Sequence, residues 1–260
     1  MKDLVVFRCH YIDDSIISEF KKLSDSVSDC ILLFDNHNKI IDSDNKENLI
    51  TLKTPEGNFN VFLIDEQILE EFNLPYYTDD PNNTDFGKVM WYNSDYPQYI
   101  VRKYFPKYDY YWLIECDVFC NGKSYKPFFK KYKHNKSDLI IKDYRPIHSD
   151  SDWWWQYKTE WCYNNTPLYG SLFPVVRISG DAIDFLYKKR LEQADLFNKV
   201  KENTDNRWIF CELFIATELT NNNFKCQDLD EPFIRYLPVY NLNKERIFEK
   251  PDFRLYHPVK

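Results

Sequence analysis

Asp109-Tyr-Tyr-Trp-Leu-Ile-Glu-Cys-Asp-Val-Phe119 is the stretch from which the fold of this 260-residue chain is read. Its apolar and aromatic residues 110–114 predict a buried strand. The strand runs into two carboxylates, Glu115 and Asp117, one residue apart. Residues i and i+2 of a strand share a face, so both carboxylates can aim at one point beyond the strand end. Two hard oxygen ligands there suit Mg²⁺ or Mn²⁺, above all when a diphosphate completes the shell. The ordinary reading of an acidic-x-acidic triplet is a solvated turn. Context favours a site: the preceding run is strongly apolar, Asn121-Gly122 reads as a turn, and open α/β sheets bind ligands beyond the carboxyl ends of their strands.

Working outward toward the N-terminus, residues 4–7 form a short apolar strand, with Arg8, Cys9 and His10 at its end. Asp13 or Asp14 caps a helix whose Ile16, Ile17, Phe20, Leu23 and Val27 keep a 3.6-residue period. Residues 30–34 form a second strand that ends in Asp35-Asn36. Strand, helix and strand at this spacing predict a parallel βαβ pair of nucleotide-binding type. Neither the glycine fingerprint of dinucleotide folds nor the phosphate loop of nucleotide triphosphatases is present. With 5 Gly in the chain, phosphate must be held another way, and a metal ion is the substitute.

Downstream, strands are expected at 39–42, 49–53, 61–64 and 89–92, helices at 66–72 and 97–104, and a loop over 75–87. A helix over 123–133 and a strand over 138–142 follow the central stretch. Periodicity disappears between 143 and 170, where Trp153, Trp154, Trp155, Tyr157, Trp161, Tyr163 and Tyr169 gather. A loop this long in a compact domain is usually functional, and its aromatic density argues against disorder. It reads as an acceptor-binding region or as a buried lid. Residues 171–178 form a strand, and Ser179 caps a long helix. A helix over 208–219 carries Glu212 among apolar neighbours, and a strand over 224–228 precedes an irregular tail ending in Leu255-Tyr-His-Pro-Val-Lys260. No internal repeat or linker divides the chain.

The net charge of −7, from 41 acidic and 34 basic residues, argues against a broad nucleic-acid surface. The 20 Tyr, 20 Phe and 7 Trp suit an aromatic-rich core or the stacking of sugars and bases. The 7 Cys are odd in number and lack CxxC pairs, which predicts free thiols in a reducing compartment. Absence of a signal peptide and of an apolar run near ~20 residues predicts a cytoplasmic protein without a transmembrane segment, at most in peripheral contact with the inner membrane face.

Three separated features need one explanation: Glu115-Cys-Asp117, Glu212 and His257. The order Tyr-Trp-Leu-Ile-Glu-x-Asp-Val, Ser-Leu-Phe-Pro-Val-Val-Arg-Ile-Ser, Glu-Leu-Phe-Ile-Ala-Thr and Tyr-His-Pro-Val-Lys resembles nucleotide-sugar-dependent glycosyltransferases of the GT-A fold, over roughly residues 4 to 260. The resemblance implies an α/β fold: a GT-A-like, Rossmann-type mixed sheet flanked by helices. It implies one domain, 1–260, with a nucleotide-sugar-binding half at 1–120 and an acceptor-binding and catalytic half at 121–260. Glu115 and Asp117 match the family's metal-binding Asp-x-Asp motif, and His257 matches a C-terminal metal ligand. Glu stands here in the first position, so Asp117 is the firmer ligand, and an imidazole among oxygens tilts the choice from Mg²⁺ toward Mn²⁺. Arg8, Asp35, Lys88 and Lys260 fall on the donor side. Trp153, Trp154, Trp155 and Arg177 fall on the acceptor side, although Arg177 equally suits a cap network. Glu212 matches the general base of inverting members, and burial among Phe210, Leu213 and Phe214 would raise its pKa toward neutrality. An ion pair with Arg207 or Lys225 is its structural alternative, and the Asp228 region is the runner-up for the base.

The implied activity is metal-dependent transfer of a sugar, with UDP as the commonest carrier, to a hydroxyl of a glycan or glycolipid acceptor in cell-surface polysaccharide synthesis. The rivals are a glycosidase, a non-enzymatic carbohydrate-binding protein and a nucleotidyltransferase. A glycosidase needs two carboxylates across a cleft, a binding protein needs no metal, and a nucleotidyltransferase releases pyrophosphate.

Overall fold

The computed structural model describes residues 1–36, 41, 48–80, 85–148, 153–203, 205–229, 234–236 and 251–259. In chain order the elements are β1 (Asp3–Cys9), α1 (Asp14–Ser24), β2 (Cys30–Asp35), β3 (Leu49–Thr54), β4 (Gly57–Ile64), α2 (Glu66–Glu71), α3 (Phe86–Tyr92), α4 (Tyr96–Tyr104), β5 (Tyr110–Glu115) and β6 (Phe119–Cys120). There follow α5 (Lys126–Tyr132), β7 (Leu139–Ile147), α6 (Glu160–Tyr163), β8 (Leu168–Ser179), α7 (Gly180–Phe197), α8 (Cys211–Asn221), β9 (Cys226–Asp228), β10 (Ile234–Tyr236) and β11 (Leu255–His257). An eight-stranded sheet runs β3-β4-β2-β1-β5-β8-β7-β9, and a small sheet runs β10-β11-β6.

The centre of the large sheet is parallel: β4, β2, β1 and β5 lie side by side in one direction. A parallel sheet is covered on both faces, so its strands are apolar throughout. In β1, Leu4 and Val6 enter one core while Val5, Phe7 and Cys9 enter the other. In β5, Tyr111 and Leu113 take the first face and Trp112 and Ile114 the second. β3 pairs antiparallel with β4, and β8 pairs antiparallel with β5 and β7, which makes the sheet mixed, while β9 lies parallel to β7. Among the described residues no helix is long and apolar enough to cross a membrane.

Most expected elements are present, with four differences. Residues 89–92 belong to a helix, α3, capped by the Asp85 side chain, which accepts from Lys88 N–H at 2.8 Å. A four-residue apolar run does not by its period distinguish strand from helix. The helix expected from 208 begins at Cys211, after extended residues 208–210. The segment 143–170 holds the outer part of β7, a 3₁₀ turn at Trp154–Gln156, α6 and the start of β8. Two register shifts in the β7–β8 ladder conceal the strand period there. The tail is not irregular throughout, because β11 pairs with β6. Of the strand expected at 39–42, all but Ile41 lies outside the described residues.

A buried ion pair locks the helices over the first face. Arg190 of α7 donates from Nε to Asp95 Oδ2 at 2.7 Å and from Nη2 to Asp95 Oδ1 at 3.0 Å. Its Nη1 donates to the Ile209 carbonyl at 2.8 Å, and Tyr99 OH donates to Asp95 at 2.5 Å. Neither partner reaches water, so removing the carboxylate strands a buried cation. Asp95→Ala is expected to lower unfolding free energy in urea by about 3–5 kcal/mol. A loss under ~1 kcal/mol would show that water reaches Arg190.

Candidate active site

Three adjacent parallel strands bring Arg8, Asp35 and Glu115 to one face. Arg8 continues the Leu4 and Val6 series, Asp35 the Ile31 and Leu33 series, and Glu115 the Tyr111 and Leu113 series. Arg8 stands opposite Glu115 in the β1–β5 ladder. Its guanidinium lies 2.8 Å from Asp35 Oδ2 and 3.8 Å from Glu115 Oε1. It also donates to Ser94 Oγ at 3.0 Å and to the Met90 carbonyl at 2.8 Å. Burial works against the charge of Arg8, and Asp35 more than restores it, so its pKa is raised.

Asp117 follows in a turn closed by Val118 N–H on the Glu115 carbonyl at 3.0 Å. The two carboxylates therefore converge through a turn, not through strand alternation. The C-terminal strap completes the group. Val259 N–H donates to the Asp117 carbonyl at 2.9 Å, and the β6–β11 pairing carries His257 alongside. His257 Nε2 lies 3.2 Å from Asp117 Oδ1 and 4.0 Å from Glu115 Oε2. One ligand atom from each of the three side chains falls within 4.8 Å of the others. Asp117 Oδ1 is buried and accepts no hydrogen bond. A buried carboxylate oxygen without a donor, beside a second carboxylate and an imidazole, fits a divalent cation with O, O and N ligands. Burial, then Asp117, raises the pKa of Glu115, while Arg8 and His257 oppose them.

This group opens on a cleft of about 1010 Å³. Glu212, in the first turn of α8, lines the same cleft. Glu212 Oε1 accepts from Phe173 N–H at 3.1 Å, and the Glu212 carbonyl accepts from Ser171 Oγ at 2.9 Å. Neither Arg207 nor Lys225 pairs with it: Arg207 lies over the Trp154 ring, 5.0 Å from its centroid. Burial pushes the Glu212 carboxyl up to about 8, against the Phe173 hydrogen bond. The thiols on the cleft wall are held neutral, since burial raises Cys9, Cys211 and, to about 12, Cys116. A thiolate nucleophile is thereby disfavoured.

The expected site residues divide. Arg8, Asp35, Glu115, Asp117, Trp155, Glu212 and His257 all line this cleft, as does His10. Lys88 does not. It belongs to a helix and not to a strand end, and its Nζ lies 3.5 Å from Asp79. Arg177 lies at the far end of the sheet. β8 runs antiparallel to β5, so its late residue Arg177 faces Trp112, near the start of β5. It is fully buried, 3.4 Å over the Tyr110 ring, with Nε 3.4 Å from Asp3, and serves packing. Trp153 packs on the sheet, where its ring leaves no room for a Cβ at Gly170. Trp154 lies tilted against the outer side of Trp155, its plane at 32°. Asp228 accepts from Tyr144 N–H at 2.9 Å and does not line the cleft. Lys260 lies outside the described residues. Sequence reasoning missed Trp91, Phe173 and Ser94, and named Phe210 only as a neighbour that buries Glu212. A helical reading of 86–92 finds Trp91, which shares a face with Gly87 four residues earlier.

No family model and no curated protein matches the sequence. Among solved structures, mouse xyloside xylosyltransferase 1 in its apo form aligns with 98% of this chain and 97% of its own, at 12% identity and a TM-score of 0.51. The fold found is thus the expected mixed α/β sheet flanked by helices, of GT-A type. Two looser likenesses carry no weight. A glycosyltransferase involved in glycosylation of the major capsid of PBCV-1 has TM-score 0.43 at 12% identity, covering 99% of this chain and 92% of that one. The galactosyltransferase LgtC has TM-score 0.46 at 14%, covering 98% and 86%.

The environment of Glu212 has a measurable signature. In the folded chain the carboxyl keeps its proton to about pH 8, against an ordinary value of 4.5. The stability that comes from holding it neutral is whole below the unfolded pKa, declines as pH rises from there, and is gone once pH passes the folded pKa. Glu212→Gln cannot ionise and escapes this decline. Its melting temperature relative to the native chain is expected to differ little at pH 4, to rise between pH 4.5 and 8, and to level off above. A difference independent of pH would contradict the buried placement.

Proposed function

We propose that the chain is a metal-dependent glycosyltransferase that moves a sugar from a nucleoside diphosphate, UDP in the first instance, to a hydroxyl of a glycan or glycolipid acceptor. The observation that carries this reading is that the Glu115–Asp117–His257 group and Glu212 line one cleft at the carboxyl end of a parallel βαβ unit. The mouse protein that shares the fold is by name a xylosyltransferase, which supports the same class. Residues 1–120 bind the nucleotide-sugar and residues 121–260 supply the acceptor side, within one domain.

Asp117, Glu115 and His257 hold the cation, Mn²⁺ or Mg²⁺. When bound, it supplies Lewis-acid stabilisation of charge on the departing diphosphate. Arg8, fixed by Asp35, Ser94 and the Met90 carbonyl, holds the carboxylate ends of β2 and β5 in place and adds positive potential on the donor side. In its ionised form, whose share grows as pH approaches 8, Glu212 takes the proton of the acceptor hydroxyl at one of its carboxyl oxygens. The Phe173 N–H orients the carboxyl for that task, and the Ser171 hydroxyl holds the main-chain carbonyl of the same residue. Attack from the face opposite the leaving group then inverts the anomeric centre. The apolar wall of Trp155, Phe173, Pro174 and Phe210 excludes water from the transfer. Chemistry of this kind suits cell-surface polysaccharide assembly.

Two measurements test the proposal. Calorimetry is expected to show UDP binding that requires Mn²⁺, weakened at least about a hundredfold in Asp117→Ala, more than changes to residues behind metal ligands usually cost. Metal-independent UDP binding, or none, would sink the donor assignment. Glu212→Gln is expected to lower kcat by about 10²–10⁴, the contribution of one general base. A product of retained anomeric configuration by NMR would remove Glu212 from the role of base.

A further inference from the structure

The cleft wall beside Glu212 is a stack of rings, and one ring outside the stack has an open face. Trp155 stacks on Phe210 with centroids 3.7 Å apart and planes 11° from parallel. Trp154 continues outward from Trp155, 3.5 Å away. Trp91 leans on this stack from α3, 5.4 Å from Phe210 at 50° and 6.1 Å from Trp155 at 59°. It lines the cleft and is nevertheless 53% exposed.

Single exposed apolar side chains are common and by themselves mean nothing. Trp91 differs in placement and rigidity. Its neighbour Tyr92 is fully buried and anchors α3 by donating to the Trp208 carbonyl at 2.9 Å. Two residues before Trp91, Val89 is fully buried, so the helix cannot turn the indole away without unpacking the core. Phe210, against which Trp91 rests, lies two residues before Glu212. The indole therefore presents a fixed flat surface within the same cleft as the carboxylate, on its apolar wall.

We infer that Trp91 is the stacking platform for the pyranose ring of the acceptor and that this acceptor sugar is uncharged. The inference rests on the glycosyl-transfer reading and deepens it. A pyranose has an apolar C–H face and a rim of hydroxyls. Stacking the face on an indole leaves the rim turned toward the polar groups of the cleft. The other rings and the proline of this wall, Trp155, Phe173, Pro174 and Phe210, carry no charge, so the wall offers a uronate or sulfate no counter-charge. The ionic groups that suit a diphosphate, Arg8, Glu115, Asp117 and His257, belong to the strand-end side of the cleft. Trp91 accordingly addresses the acceptor in place of Trp153 and Trp154, a contribution to the acceptor side from the first half of the chain.

The test measures transfer from a panel of UDP-sugars with Mn²⁺ to methyl β-glucoside, β-galactoside and β-xyloside. The native chain is compared with Trp91→Ala and Trp91→Phe. With the best donor and acceptor, Trp91→Ala is expected to raise the acceptor KM about tenfold, the order of one aromatic contact, with kcat changed far less. Trp91→Phe is expected to recover most of the loss. The Kd for UDP with Mn²⁺ is expected to stay within about twofold, and methyl β-glucuronide to be a poorer acceptor than methyl β-glucoside. An unchanged acceptor KM would overturn the inference. So would a loss confined to UDP affinity, which would assign the ring to the nucleotide, or a glucuronide that serves as well as the glucoside. If the native chain binds UDP with Mn²⁺ but glycosylates none of the pyranosides, the acceptor inference fails and the donor site stands. Failure to bind UDP at all overturns the proposed function itself.

Discussion

Arg8 is a guanidinium only 7% exposed, and the architecture of the cleft follows from satisfying it. A buried cation without partners would cost far more than the fold could supply. Asp35 from the neighbouring strand neutralises it, and Ser94 and the Met90 carbonyl take remaining donors. The segment 90–95 therefore has to stay at the strand ends. The same segment holds the second buried arginine, because Asp95 pairs with Arg190. Asn93 accepts from the Trp208 indole at 2.7 Å, and Tyr92 donates to the Trp208 carbonyl. One corner thus joins the strands that carry Glu115 to the extended residues that lead into α8 and Glu212. Buried ion pairs are weak evidence of net stability. Here their consequence is position: the two walls of the cleft cannot drift apart without breaking them.

Charge is distributed unevenly along that cleft. Glu115 and Asp117 crowd together at the strand end, where Arg8 and His257 offset part of their repulsion. What remains is a demand for positive charge, expressed in the donorless Asp117 oxygen. Glu212 sits on the apolar side instead, with a backbone N–H and no cation among the described residues, and its carboxyl holds its proton to about pH 8. Two carboxylate environments in one cavity allow two roles, one electrostatic and one in proton transfer.

The strand, its burial on both faces and the following pair of acids were legible in residues 109–119 because apolar continuity and charge are local properties. The parallel βαβ start was legible for the same reason. Even there the mechanism differed, since a turn and not strand alternation brings Asp117 beside Glu115. Residues 89–92 show where local pattern fails. The apolar run fits either period, and only the Asp85 cap decides it. Misreading it as a strand hid Trp91. Arg177 required the direction of β8 against β5, which is a property of the sheet and not of either strand. Among the three adjacent tryptophans, composition could not tell which ring faces the cleft. That depended on Trp153 closing over Gly170. The β6–β11 pairing that delivers His257 involves strands of two and three residues, too short to carry a period.

The central claim is that Asp117, Glu115 and His257 hold a divalent cation that anchors a nucleoside diphosphate. Anomalous diffraction from crystals soaked with Mn²⁺ and UDP tests it most directly. The result expected is one strong manganese peak within bonding distance of Asp117 and His257, with UDP bound in the same cleft. A diphosphate bound in the cleft without metal, or manganese held by residues elsewhere on the chain, would contradict it.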